Sequence, residues 1–147
     1  MFLAVISLVG ATMVATALDP AGLARLSDGR AEGVVIHATA RWSQGSIWTI
    51  AQLQHEDGHL TELWLPGGCV SGVCLTVAGV PRVEEGDQLY VFLRGRGPTS
   101  LSQGLFYVQG DDAIRDTRAL AMAQGPQPTA RYALADLRDA GDDLPKR

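Results

Sequence analysis

His55-Glu56-Asp57-Gly58-His59 matches the H-E-x-x-H pattern of zinc peptidases. On a helix, two histidines four residues apart point the same way and can hold the metal, with the glutamate as general base. The neighbouring residues argue against a helix. Ile47, Thr49, Ala51 and Leu53 alternate with period two just before the match, and Asp-Gly is a strong hairpin signal. Gly58 inside a helix would also cost about 1 kcal/mol. A catalytic zinc needs a third protein ligand, and Leu60 to Leu65 contains neither the glycine nor the histidine of the metzincin extension. Glu84 or Glu85 would have to complete the set, and nothing places either on a ligand-bearing helix. The pentapeptide therefore reads as a solvated turn. A zinc-dependent hydrolase using His55, Glu56 and His59 is the alternative.

Cys69 and Cys74 flank the short segment Val70-Ser71-Gly72-Val73. In an exported chain the default is a disulfide across a hairpin. The spacing is not that of a Cys-x-x-Cys redox motif. A structural zinc held by His55, His59, Cys69 and Cys74 has plausible ligand spacings and stays open as a rival. Trp42, Trp48 and Trp64 all fall on expected strands. Cross-strand packing is their ordinary role, and an exposed aromatic platform for a sugar or peptide is the alternative. Arg94-Gly95-Arg96-Gly97 is a loop with two positive charges that reads as a solvated turn. No phosphate-cradling glycine loop, nucleophile elbow or calcium loop is present, and no cofactor is expected.

The 147 residues carry 46% hydrophobic and 19% charged side chains, enough for one well-packed domain. The net charge of −4 without a basic run excludes the usual footprint of a nucleic-acid binder. Phe2 to Leu18 is apolar or small, Ala15-Thr16-Ala17 has the small-x-small form of a cleavage site, and Asp19-Pro20 follows. Residues 1–17 therefore read as a signal peptide and the location as secreted or periplasmic, although no Lys or Arg precedes the apolar run. Membrane association is expected only if this segment is retained as an anchor.

Asp19-Pro20 begins a short helix with Leu23 and Leu26 on one face, ended by Ser27-Asp28-Gly29. Val34 to Trp42 and Ile47 to Leu53 form a hairpin around Ser43-Gln44-Gly45-Ser46. Further strands are expected at Leu60–Leu65, Leu75–Ala78, Leu89–Leu93, Leu105–Val108 and Ala113–Ile114. Of these, Leu89–Leu93 is apolar throughout, as for a central strand buried on both faces. Gly125-Pro126-Gln127-Pro128 reads as a linker, Arg131–Ala140 as a helix with Leu134 and Leu137 inward, and Gly141–Arg147 as a frayed end. The fold class is mainly all-β: a small antiparallel six- or seven-stranded barrel or sandwich, comparable to oligonucleotide/oligosaccharide-binding barrels, with a helix at each end. Residues 18–117 make the β domain and 118–147 the linker and helix.

Arg41-Trp42-Ser43-x-Gly45-x-Ile47-x-Thr49, Pro66-Gly67-Gly68, Val77-x-Gly79-x-Pro81, Glu85-Gly86-Asp87 before Val91-Phe92-Leu93, and Gln103-Gly104-Leu105-Phe106 follow one another. This series resembles a group of exported bacterial proteins with a Trp-bearing first hairpin, to which no reaction is attached. The resemblance covers about residues 30 to 110. It consists mostly of turn chemistry, and Cys69 and Cys74 depart from it. Together these readings imply an exported, non-catalytic domain that binds a protein or envelope partner, of accessory or inhibitor-like type. The expected mature chain begins at Leu18. Intact-mass measurement of exported protein should show residues 1–17 missing, and full-length chain in the membrane fraction would contradict it.

Overall fold

The structure is a computed structural model that describes residues 17–117 and 129–147. Nearly all of the expected signal peptide and the Gly125–Pro128 linker lie outside the described residues. Helix α1 spans Pro20–Leu26, with the Asp19 carboxylate accepting the Gly22 N–H and Pro20 in the first turn. The strands are β1 (Gly29–Ser43), β2 (Ser46–Gln54), β3 (Leu60–Pro66), β4 (Gly68–Val70), β5 (Val73–Leu75) and β6 (Gln88–Arg94). After them come β7 (Gly97–Pro98), a 3-10 turn at Leu101–Gln103, β8 (Leu105–Gln109), β9 (Asp112–Ile114), β10 (Arg131–Ala133) and helix α2 (Leu134–Ala140).

The described residues are mostly β, 48% strand against 14% helix. One large antiparallel sheet runs β10-β9-β8-β6-β1-β2-β3, with β7 also on β6, and β4–β5 forms a separate ribbon. The sheet does not close into the barrel that was one of the two expected forms. The second edge of β6 is occupied by β8 at Leu89–Val91 and by β7 at Leu93–Arg94, which leaves β3 no strand edge there. Instead β3 meets the β6–β7 turn, where Trp64 N–H donates to the Arg96 carbonyl at 2.8 Å.

Strand β6 is buried on both faces. Leu89, Val91 and Leu93 join a core with Val35, Ala51, Leu53, Leu63, Leu65 and Leu105. Tyr90 and Phe92 join a second core with Leu23, Phe106, Leu134 and Leu137, covered by α1 and α2. Phe92 lies edge-on to Tyr90 and Phe106, with centroids 5.2 and 6.3 Å away. Burial pushes the Tyr90 phenol up to about 12.

The alternation in β1 is interrupted. Its register to β2 shifts between Val35 and His37, so Ile36 is the extra residue of a bulge. Val35 is therefore buried, Val34 and Ile36 face solvent, and the inward parity passes to Ala38. Four other expectations are corrected. The strand placed at Leu75–Ala78 is instead Val73–Leu75, paired with β4. Arg131–Ala133 is a strand on β9, because its N–H and C=O groups complete that edge, and the helix begins only at Leu134. The end expected to fray is tied to β1: Arg30 N–H donates to the Pro145 carbonyl and Arg147 N–H to the Arg30 carbonyl. Leu26, placed with Leu23 on the packed face of α1, is exposed.

Buried Arg115 joins the start of the described fold to the segment leading into β10. Its guanidinium donates to the Leu18 carbonyl at 2.5 Å and to the Thr129 carbonyl at 3.0 Å, and lies over the rings of Phe106 and Tyr132. Burial lowers its pKa. Among the described residues, no helix is long and apolar enough to cross a membrane.

Cys69 and Cys74 are a directly paired cross-strand disulfide on the exposed β4–β5 ribbon, outside both cores. Replacing both by serine should leave the fold intact and lower stability by about 2 kcal/mol or less, since the closed loop is short. Phe92→Ala should cost about 3–5 kcal/mol. Denaturant titration of the two variants checks both the values and their order.

Candidate functional site

The hairpin β1–β2 turns at Gln44-Gly45, both with positive φ, the backbone that a two-residue turn between twisted strands requires. Across it Arg41 pairs with Trp48, and Trp48 pairs with Pro66 of β3. Ile47, Ala51, Leu63 and Leu65 face inward. By strand parity Arg41, Trp48, Trp64 and Pro66 share the outer face. There Trp48 and Trp64 lie 5.9 Å apart at a 59° tilt. The Trp64 indole N–H donates to Glu62 at 2.6 Å, which fixes the ring in its plane.

Arg96 reaches this face from the β6–β7 turn. Its guanidinium centre is 4.9 Å from the Trp64 ring centre, and that of Arg41 is 5.1 Å away. Each cation is attracted by the indole quadrupole, worth about 0.5–1 kcal/mol at an exposed site. Neither guanidinium has a carboxylate within ion-pair distance among the described residues. The turn is anchored: Gly95 N–H donates to both Asp28 carboxylate oxygens at 3.0 and 3.2 Å, and Arg147 pairs with Asp28 at 3.1 Å.

Trp48, Trp64 and Arg96 border a cavity of about 510 Å³, walled also by Pro98 and Leu101, with Gln44 as further polar lining. That volume suits a small ligand. Gln44 and Leu101 both carry left-handed backbone, with φ of 52° and 54°. A leucine in that region is strained, and such strain concentrates at ligand sites and switch regions.

The three tryptophans are not one platform. Trp42 pairs with inward-facing Ile47, so it lies on the opposite side from Trp48, and it is 54% exposed beyond the end of the core. The strand periodicity places each indole on a strand, but only the register shows which two meet. Arg41 and Arg96 lie 55 positions apart in the sequence, which hides their meeting on the Trp64 ring. The Arg94–Gly97 loop is the exposed turn that its composition predicts, with Arg96 reaching the Trp64 ring.

His55-Glu56-Asp57-Gly58-His59 forms the β2–β3 turn, as its Asp-Gly pair predicts. His55 N–H donates to the His59 carbonyl at 2.8 Å, Gly58 N–H to the His55 carbonyl at 2.9 Å, and Gly58 has φ 86°. The imidazole rings sit 5.2 Å apart at a 48° tilt. His55 Nε2 bonds Thr61 Oγ1 at 2.5 Å, and that hydroxyl in turn donates to the Arg147 carbonyl. Thr61 has one proton to give, so His55 Nε2 is the donor toward it. Glu85 lies 3.5 Å from His37, and Glu84 pairs with Arg82, so neither joins the histidine turn. With Cys69 and Cys74 bonded to each other, the four-residue zinc site of His55, His59, Cys69 and Cys74 is not formed. The described residues include no cluster of three or more His, Cys, Asp or Glu arranged to hold a metal ion.

Comparison with protein-family models, curated proteins and solved structures finds no match to this chain.

Burial lowers the His55 pKa, and the nearby His59 adds to this, against a smaller opposing effect of Asp57. Below the ordinary histidine value of 6.5 the unfolded chain therefore takes up a proton before the folded one. Stability should fall as pH drops from that value toward the folded-state pKa, with no His55 contribution above it. Thermal melts across this range should show a shallower slope for His55→Gln than for wild type. Glu56→Gln and His59→Ala, at exposed turn positions, should stay within about 0.5 kcal/mol of wild type.

Proposed function

We propose that the chain is an exported, non-catalytic β domain that binds a protein or envelope partner, and that the partner engages the Trp48–Trp64–Arg96 pocket. One observation carries this reading: Arg41 and Arg96 are held on the Trp64 ring beside a small cavity, and among the described residues neither has a carboxylate within ion-pair distance. Charges presented this way cost little in water and become strong hydrogen-bond donors once an acceptor arrives.

The non-catalytic reading draws support from the H-E-x-x-H match. A zincin would present His55 and His59 on one helix face, and here they flank a hairpin turn. Export draws support from two features. The first is the disulfide, which persists in oxidising compartments. The second is the placing of Leu18, whose N–H donates to Gln103 at 2.7 Å and whose carbonyl accepts from Arg115. A chain cut after Ala17 would begin at a residue the domain already grips. The similarity to exported proteins with a Trp-bearing first hairpin belongs to the same proposal, with that hairpin supplying Arg41 and Trp48.

Tagged mature protein, incubated with envelope and secreted fractions, should retain a partner that Trp64→Ala and Arg96→Gln each lose while Glu56→Gln keeps it. Equal capture by all four proteins would remove the pocket from the function. Peptidase activity abolished by Glu56→Gln would restore the zinc-hydrolase alternative.

A further inference from the structure

Resting on the pocket reading above, we infer that the pocket takes a carboxylated saccharide, a sugar ring bearing an acid group, as the recognised unit of its envelope partner. A pyranose ring is amphipathic: its C–H face is apolar and its rim carries hydroxyls. The cavity has the matching division. Trp48 and Trp64 both line it, tilted by 59°; Trp64 carries the two guanidinium groups, and Trp48 supplies the aromatic surface for the C–H face. Ser43 and Gln44, at the β1–β2 turn, put a hydroxyl and an amide on the same lining, able to donate to and accept from sugar hydroxyls. The cavity volume of about 510 Å³ matches a ligand of a few rings better than a broad protein interface.

The charge on the site selects the acid. Arg96 lines the cavity and Arg41 lies across the same indole, each without an ion-pair partner among the described residues. A planar guanidinium matches a carboxylate in a two-bond fork. A cationic ligand is disfavoured, because the Trp64 ring already has two arginines on it.

The backbone argues against an extended peptide. Peptides that add to a sheet edge take their affinity from free main-chain donors and acceptors. Here Trp64 N–H is spent on the Arg96 carbonyl and Gly67 N–H on the Ile47 carbonyl, while Pro66 and Pro98 have none to give. What the pocket offers is side-chain chemistry: indole faces, guanidinium, amide and hydroxyl.

The test is titration of the exported protein with trigalacturonate and with its fully methyl-esterified form, read by tryptophan emission and calorimetry. The free acid should bind saturably, about tenfold or more tightly than the ester, and should weaken as salt rises. Arg96→Gln and Arg41→Gln alter exposed side chains and should stay folded, with melting temperatures lowered only slightly by the lost contact with Trp64. Each should lose about tenfold toward the acid while leaving the ester unchanged. Trp48→Ala should weaken both. Equal binding of acid and ester would overturn the guanidinium–carboxylate assignment. Absence of saturable binding to either would overturn the saccharide assignment, and pocket-dependent partner capture persisting in that case would leave the binding-domain reading standing. An acidic hexapeptide that binds as tightly as trigalacturonate, and is lost in Arg96→Gln, would replace the saccharide with a peptide.

Discussion

Leu89, Val91 and Leu93 point into one core and Tyr90 and Phe92 into the other, so one five-residue run in β6 must be covered twice. Fully burying each such side chain is worth about 1.5–3 kcal/mol, which makes this run a concentrated source of burial among the described residues. The sheet curls over one side, and α1, α2 and β9 supply the other. The rest of the topology follows from that demand. β1 takes one edge of β6 with its first half and leaves to pair with β2 in its second half. The bulge at Ile36 lies where the one pairing gives way to the other, and bending there directs the long hairpin away from the central strand.

The pocket is a consequence of this geometry. Because β8 and β7 hold the second edge of β6, the curled sheet ends with β3 against the β6–β7 turn and the short β7, without a ladder between them. The gap left by incomplete closure is filled by side chains: Trp64 from β3, Arg96 from the β6–β7 turn, and Pro98 and Leu101 beyond it. A closed barrel would have spent those backbone groups on a ladder. The left-handed Leu101 shows that the segment after β7 is held against its own preference. Thr99, fully buried, fixes that segment: its N–H donates to the Phe92 carbonyl and its hydroxyl meets Ser27 at 2.6 Å. The second core thus helps to hold the wall of the cavity.

Much of the framework was legible in the residues. Asp19-Pro20 marks the start of α1, Gln44-Gly45 and Asp57-Gly58 mark hairpins, and the apolar run at Leu89–Leu93 marks the doubly buried strand. Each of these is a local property, carried by a cap, a turn dihedral or a short pattern. The missed features depend on distant chain. Ile36 looks like one more inward residue of an alternating strand until the register to β2 is known. Arg131–Ala133 has helix-compatible composition, and only the open edge of β9 makes it a strand. Pro145 and Arg147 are held by hydrogen bonds to Arg30, more than a hundred positions away, which no terminal pattern reveals. The candidate site is the extreme case. Arg41, Trp48, Trp64 and Arg96 come from three strands and a turn, and their meeting requires both strand parity and the curl of the sheet. The one compact motif in the sequence, H-E-x-x-H, carries its usual meaning only on a helix, and a hairpin removes that meaning.

The disulfide ribbon adds a constraint on the same site. Pro66 ends β3 in the cavity wall, and the chain must turn sharply into β4 without dragging that wall away. Two bonds to β2 hold it: Gly67 N–H donates to the Ile47 carbonyl at 2.9 Å, and the Thr49 hydroxyl donates to the Gly67 carbonyl at 2.8 Å. Gly68 then passes so close to β1 and β2 that a Cβ would stand 2.8 Å from both the Ala40 methyl and the Thr49 hydroxyl, and its φ of 134° admits a side chain only with strain. Glycine is thus needed there for both space and dihedral. Cys69 and Cys74 lie immediately beyond, and their bond keeps β4 and β5 paired on a ribbon too short to persist by hydrogen bonds alone. Pairing of the ribbon limits the ways the chain can leave Gly68, and so the ways Pro66 can move. The disulfide in that way also helps to keep the far wall of the pocket in place.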